Sequence, residues 1–262
     1  MPRFAANLSM MFNEWAFLDR FKAAGDAGFE AVEFLFPYEH APEKVGLALV
    51  GAEVEQALFN LPPGDWEKGE RGIAALPGRE SELREGIETA LAYVHETGVK
   101  RLHMMAGHAD PQDPAAQAAY RAAIAYAADR LGEFGIDLLL EPINGKDMPG
   151  YFLCDFEQAA SYVREAERPN VKLQFDMYHC QLIHGDVPAR LKQLYPLIGH
   201  VQIARAAGRH EPDESGPDYP ALFDALDAMG YRGFVGCEYR PEAGTLEGLG
   251  WFSPYKLRAA EL

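Results

Sequence analysis

The stretch Asp137-Leu138-Leu139-Leu140-Glu141-Pro142-Ile143-Asn144 decides how this chain is read. A run of apolar residues leads straight into Glu141, and proline follows. The apolar part predicts a buried strand, because strands covered on both faces read as unbroken apolar runs. A carboxylate at the end of such a strand must be paired, metal-bound or part of a site. Three later stretches repeat the device. KLQFDMYH (172–179) delivers Asp176, GHVQIA (199–204) delivers Gln202, and GFVGCEY (233–239) delivers Glu238. Four oxygen-bearing side chains, each on its own buried strand, imply one shared mouth.

Working outward, eight short apolar runs can be counted: Arg3–Leu8, Ala31–Phe36, Glu53–Phe59, Lys100–Met105, Asp137–Glu141, Val171–Asp176, His200–Ile203 and Phe234–Glu238. Segments of helical spacing lie between them. These are Glu14–Ala27, Arg79–Thr97, Ala115–Phe134, Phe156–Ala166, Val187–Leu194 and Tyr219–Met229. Gly28, Gly98, Gly135 and Gly230 follow four of them as stops. Alternation of strand and helix implies a parallel sheet. Eight units in 262 residues favour a single (β/α)8 TIM barrel, one domain over 1–262. The alternative, an open doubly wound sheet, normally carries a glycine fingerprint after its first strand, and none is present.

Composition narrows the partners. A formal charge of −16 argues against a nucleic-acid backbone or an anionic membrane as main partner. It leaves room for a small anionic substrate, which responds to local arginines. The three cysteines are odd in number and scattered, so neither a zinc knuckle nor a disulfide framework is expected. The opening MPRFAANLSMMF lacks a basic region before a long apolar one, and no stretch is long enough to span a membrane. The expectation is a soluble cytoplasmic protein, with a homodimer or higher homo-oligomer open. One connection, Asn60–Gly78 (NLPPGDWEKGERGIAALPG), is long and rich in Gly and Pro. Such a loop is expected to rise over the C-terminal face as a lid, with Trp66 excluding water and Arg71 or Arg79 meeting an anion; the plainer reading is a surface loop.

In a barrel the C-terminal strand ends carry the site. Three carboxylates and an amide oxygen cannot converge unpaired, because like charges repel and desolvation is costly. A divalent cation resolves the conflict, and all-oxygen ligation by Glu141, Asp176, Gln202 and Glu238 favours Mg²⁺, with Mn²⁺ next. The plainer reading gives each acid its own partner. A cation with open positions stabilises the enediolate formed when a carbon proton leaves. Glu141 and Glu238, on different sides of the mouth, could then deprotonate one carbon and reprotonate its neighbour, which is aldose–ketose isomerisation. His179 could bond a substrate oxygen or cap the strand. Arg209 and His210 could hold a carboxylate or form an exposed salt bridge. Asp147 could orient substrate or only make a turn. Glu33 and Asn60 are expected near the same mouth, and His103 serves equally well as a core histidine.

These residues resemble the hydroxypyruvate isomerase family, within the xylose-isomerase-like barrels. The likeness covers nearly the whole chain through RFAANLSMMF, GFEAVEFLFPY, FNLPPGDWEKGERGIAALPGRE, LLLEPIN, FDMYH, GHVQIA, GRHEP and GCEYRP. It implies Glu141 and Glu238 as proton donor and acceptor, and Glu141, Asp176, Gln202 and Glu238 as metal ligands. It also implies His179 and Arg209 at the substrate, whose carboxylate gives Arg71, Arg79 or Arg209 a partner; Asn60 is a further substrate-binding candidate from its place at the end of the third strand. The reaction implied interconverts hydroxypyruvate and tartronate semialdehyde. The related 2-oxo-tetronate isomerases, acting on a four-carbon acid, share the MPRFAANLSMMF opening and are the alternative. The chain departs from the family after HEP, where Ser215-Gly216-Pro217-Asp218-Tyr219 replaces Gly-Glu-Ile-Asn-Tyr. Two other classes remain: an endonuclease-IV-like phosphodiesterase, which needs several zinc ions and a basic face, and a non-catalytic sugar-acid binder.

Overall fold

Every apolar run becomes a strand. β1 (Arg3–Asn7), β2 (Ala31–Glu33), β3 (Glu55–Asn60), β4 (Arg101–His103), β5 (Asp137–Leu140), β6 (Val171–Asp176), β7 (Ile198–Ile203) and β8 (Phe234–Cys237) pair in parallel, each with the next. β8 closes the barrel on β1 through Phe4↔Val235 and Ala6↔Cys237. The structure, a computed structural model, describes residues 1–256, so six residues of the expected 1–262 domain lie outside it. The outer ring is α1 (Phe17–Asp26), α2 (Pro42–Ala52), α3 (Glu80–Thr97), α4 (Pro114–Gly132), α5 (Phe156–Glu165), α6 (Met177–Ile183), α7 (Val187–Leu194) and α8 (Tyr219–Ala228). A 3₁₀ segment, Glu247–Tyr255, follows β8. No helix among the described residues is long and apolar enough to cross a membrane.

Several boundaries moved for physical reasons. α1 starts at Phe17 rather than Glu14, because the Glu14 carboxylate accepts bonds from the Thr245 backbone (2.7 Å) and hydroxyl (3.0 Å) instead. α4 ends at Gly132, three residues before the expected stop at Gly135. α6 was hidden because Asp176 does two jobs. It ends β6, and its carboxylate accepts from Tyr178 N at 2.8 Å as the N-cap of the next helix.

Side chains alternate across the sheet. Phe4, Ala6 and Val32 join the large core against the helices. Ala5, Ala31, Ala57 and Phe234 form a small separate core on the barrel's inner face. Above it lies a buried polar layer centred on Glu33. Its Oε1 accepts from Asn7 Nδ2 (3.0 Å) and Gln202 Nε2 (2.7 Å), and its Oε2 lies 2.7 Å from His200 Nε2. Gly236 makes room, since a Cβ there would stand 2.3 Å from Glu33 Oε2.

Candidate active site

The C-terminal strand ends open into a cavity of about 580 Å³. Glu141 stands one residue past β5 and Glu238 one past β8, both on its wall and both buried. The following Pro142 cannot donate to the ladder and holds Glu141 in extended backbone, which ends the strand there. Asp176, at the end of β6, is buried just behind the wall. His179 lies on the first turn of α6, with Nε2 3.6 Å from Asp176 Oδ2 and 4.0 Å from Glu141 Oε1.

Arg209 is the counter-charge. Its Nη2 donates to Glu238 Oε2 at 2.7 Å and lies 3.5 Å from Asp176 Oδ2, with the guanidinium 4.6 Å over the Tyr178 ring. Arg209 sits in left-handed backbone (φ 55°), a conformation a non-glycine residue keeps only when its surroundings demand it. The demand is visible: its carbonyl accepts from Arg240 N at 2.8 Å, tying the loop to β8.

One guanidinium does not neutralise three acids. Burial pushes Glu141 well above the usual carboxylate range, and the charges of Glu238 and Asp176 add to it. Burial raises Glu238 to about 8 and Asp176 to about 6, against the pull of Arg209. The histidines move the other way. Burial lowers His103 to about 3. Burial, then Arg209 and His103, holds His179 well below its ordinary value. Both rings are neutral.

Glu141 Oε1 and Asp176 Oδ2 are buried and accept no hydrogen bond. Glu141, Asp176 and His179 each offer a ligand atom, all within 4.8 Å of one another, so this group could hold a metal ion. Oxygens without donors, inside a surplus of negative charge, are the environment a hard cation satisfies.

The other expected residues divide. Asn60, Arg71 and Asp147 line the cavity. Arg71 lies 3.7 Å over the Trp66 ring and donates to the carbonyls of Trp66 (3.1 Å) and Glu70 (2.7 Å). Arg79 does not reach the site. It forks onto Glu70 (2.7 and 3.1 Å) and also pairs with Glu82, bracing the loop. Gly72 (φ 103°) lets that loop press on strand β4's exit, where a Cβ would stand 2.2 Å from Met105 O. His210 turns away, its Nδ1 2.7 Å from Arg240 O. Glu33 is spent in the polar layer rather than at the mouth. Gln202 is not on the cavity wall: its Oε1 accepts from Gln174 Nε2 at 2.7 Å while its Nε2 serves Glu33. The carbonyl keeps a second lone pair.

His103 does belong to the cavity. Its Nδ1 is 3.6 Å from Glu141 Oε2, and neither ring nitrogen has a hydrogen-bond partner. Lys146 and Arg240, also on the wall, were missed. Arg240 had a readable signal, since it follows Glu238 by two and shares its side of the chain. Lys146 follows a turn and had none.

A closed eightfold barrel with strand-end acids around one mouth defines the class. Residues 21–255 match the model of the xylose isomerase-like TIM barrel family, and the chain belongs to that family. Among its relatives, the 2-oxo-tetronate isomerase of Cupriavidus necator is 52% identical over 97% of this chain and 99% of its own. The hydroxypyruvate isomerase of Escherichia coli K12 is 41% identical over 98% and 100%. A crystal structure from Brucella melitensis, described as AP endonuclease, family 2, is 46% identical with a TM-score of 0.96, covering 98% and 100%.

Proposed function

We propose that this chain is an isomerase of short hydroxy-oxo acids, interconverting hydroxypyruvate and tartronate semialdehyde. The observation that carries the reading is the pair Glu141 and Glu238, brought from different strands to face one cavity. The reaction turns a 2-oxo-3-hydroxy acid into a 2-hydroxy-3-oxo acid. One group must take the C3 proton and another must give a proton to C2. A pair of buried carboxylates that retains a proton near neutral pH supplies a base and an acid together. Arg209 holds Glu238 Oε2 and leaves its other oxygen for the substrate. Neutral His179 faces the same space. At the rim Arg71, Lys146 and Arg240 offer opposite charge to the substrate carboxylate, and Trp66 shields the contact from water.

Glu141, Asp176 and Glu238, with the free lone pair of Gln202, would hold a divalent cation, Mg²⁺ before Mn²⁺. When bound, it supplies positive charge against the oxyanion that develops on the substrate.

The four-carbon reading has its own support in the 52% identical 2-oxo-tetronate isomerase. The two substrates differ only in whether C3 carries hydrogen or a hydroxymethyl group, so the proton transfer is common to both. A phosphodiesterase fits less well: the group that could hold a metal contains one histidine, and the chain carries −16.

NMR of each acid in D₂O, with and without EDTA and with Glu238→Gln, tests the reading. Deuterium entering the product from hydroxypyruvate, lost in the variant, supports it. Turnover of the four-carbon acid alone moves the substrate and keeps the chemistry. No exchange into either acid sinks it.

A further inference from the structure

What His179 Nε2 presents to the cavity, a proton or a lone pair, is set by what holds the other ring nitrogen. That nitrogen, Nδ1, faces Asn144. The Asn144 side-chain Nδ2 lies at 2.7 Å and its backbone N at 3.3 Å. The amide has only one workable orientation. Its Oδ1 accepts from the backbone N–H groups of Lys146 (3.1 Å) and Asp147 (2.9 Å), so an NH₂ in that place would meet two donors. Its Nδ2 also donates to Asp147 Oδ2 at 3.1 Å, where an amide oxygen would meet a carboxylate. Asp147 Oδ2 is itself fixed by the Tyr178 hydroxyl at 2.6 Å. Two donors therefore aim at His179 Nδ1 and leave no room for a proton on it. In the neutral ring the proton sits on Nε2.

We propose that Asn144 is a positioning residue that locks His179 as the Nε2–H tautomer. His179 is then a hydrogen-bond donor to a substrate oxygen, and it stays out of the cation's ligand set. The kinetic consequence rests on the proposed isomerisation; the tautomer does not. The turn that ends β5 thus carries two devices, the acid Glu141 and, three residues on, the group that decides the role of the histidine opposite. Loss of one donor to a developing oxyanion costs about 10²–10³ in kcat.

Asn144→Asp tests this. It keeps an oxygen for the turn and places a carboxylate oxygen where the NH₂ stood, which draws the ring proton to Nδ1. Long-range ¹H–¹⁵N spectra of ¹⁵N-histidine protein, without substrate, report the tautomer directly. The wild type is expected as Nε2–H both in EDTA and in saturating Mg²⁺. Asn144→Asp is expected as Nδ1–H, with kcat lower by about 100-fold and KM within about threefold. A wild-type Nδ1–H ring, or loss of Nε2–H on adding Mg²⁺, overturns the proposal. So does a folded Asn144→Asp protein with unchanged tautomer or unchanged kcat. If that variant does not fold, the wild-type spectra decide alone. A wild type that isomerises neither acid yet shows Nε2–H in both conditions ends the functional reading and leaves the assignment of Asn144 standing.

Discussion

In EDTA the protein should lose stability as the pH rises from 6.5 to 8, the reverse of ordinary acid denaturation. Burial, with repulsion from neighbouring carboxylates, holds Glu141 well above its usual value and Glu238 at about 8. Unfolded, each would ionise near 4.5. Between those limits the folded protein binds more protons than the unfolded chain, so stability falls with pH. The lowered pKa values of His103 and His179 act in the opposite sense, because the folded rings stay neutral while the unfolded ones charge. That effect is only half spent at about pH 6.5, where an unfolded histidine has lost half its charge, and it fades by about pH 7.5. Asp176, at about 6, is also largely ionised by then. From about 6.5 to about 7.5 the two glutamates outweigh the fading histidines, and above that they dominate. Each retained proton gives a slope of about 1.4 kcal/mol per pH unit. One proton held by the pair amounts to about 2 kcal/mol over the window and two to about 4, of which the two histidines offset about 1. For a chain of this size 1 kcal/mol moves Tm by roughly 2–4 °C, so a single proton, net of the histidines, shifts it by about 2–4 °C. Scanning calorimetry across the window reads the slope. Saturating Mg²⁺ keeps both carboxylates ionised and should flatten it. A Tm in EDTA that stays level or climbs from 6.5 to 8 would refute the retained proton and the acid–base pairing built on it.

Three further outcomes follow from single contacts. Arg71→Met should raise KM for the acid substrate about tenfold to a hundredfold with kcat little changed, since a bond to a charged group is worth about 1.5–3 kcal/mol; steady-state kinetics showing an unaltered KM would remove Arg71 from substrate binding. Gly236→Ala drives a methyl to 2.3 Å from a carboxylate already fixed by three partners, so the urea midpoint should drop by an equivalent of about 1–3 kcal/mol, and a wild-type midpoint would mean Glu33 is free to move. Glu70→Ala unties the loop from Arg79, which keeps only Glu82, and should speed tryptic cleavage between Trp66 and Arg79 while stability moves by less than about 1 kcal/mol, because the pair is partly exposed.

The barrel and its acids were legible because burial on both faces leaves an unmistakable pattern. A polar residue at the end of DLLL, KLQF or GFVGC has no cheap explanation, and Glu141, Asp176 and Glu238 all reach the site. Other elements hid for stated causes. α2 exposes Leu47 and Val50, so its apolar residues trace no single stripe. α6 starts inside FDMYH, where one aspartate closes a strand and caps a helix. Glu33 looks like Glu141 in sequence, but His200, Gln202 and Asn7, remote along the chain, absorb it. Nothing local distinguishes a paired carboxylate from an unpaired one. Arg71 and Arg79 show the same limit: both sit in one loop, and only the fold shows Glu70 claiming the second. Asn144 was in plain view within EPIN, yet its importance depends on a ring 35 positions away.

The acids hang from strand ends, while the rim cations Arg71, Lys146 and Arg240 ride on the connections. Beneath the acids, the Glu33 layer laces β1, β2 and β7 together like the hub of a wheel. Lys146 and Arg240 are tied through their backbones to Asn144 and Arg209, whereas Arg71 bonds only within its own loop. Exchanging the segment 61–79 for that of a relative should retune which acid is admitted without disturbing the atoms that move its protons. Substrate range in such a barrel can drift at the spokes while the hub stays still.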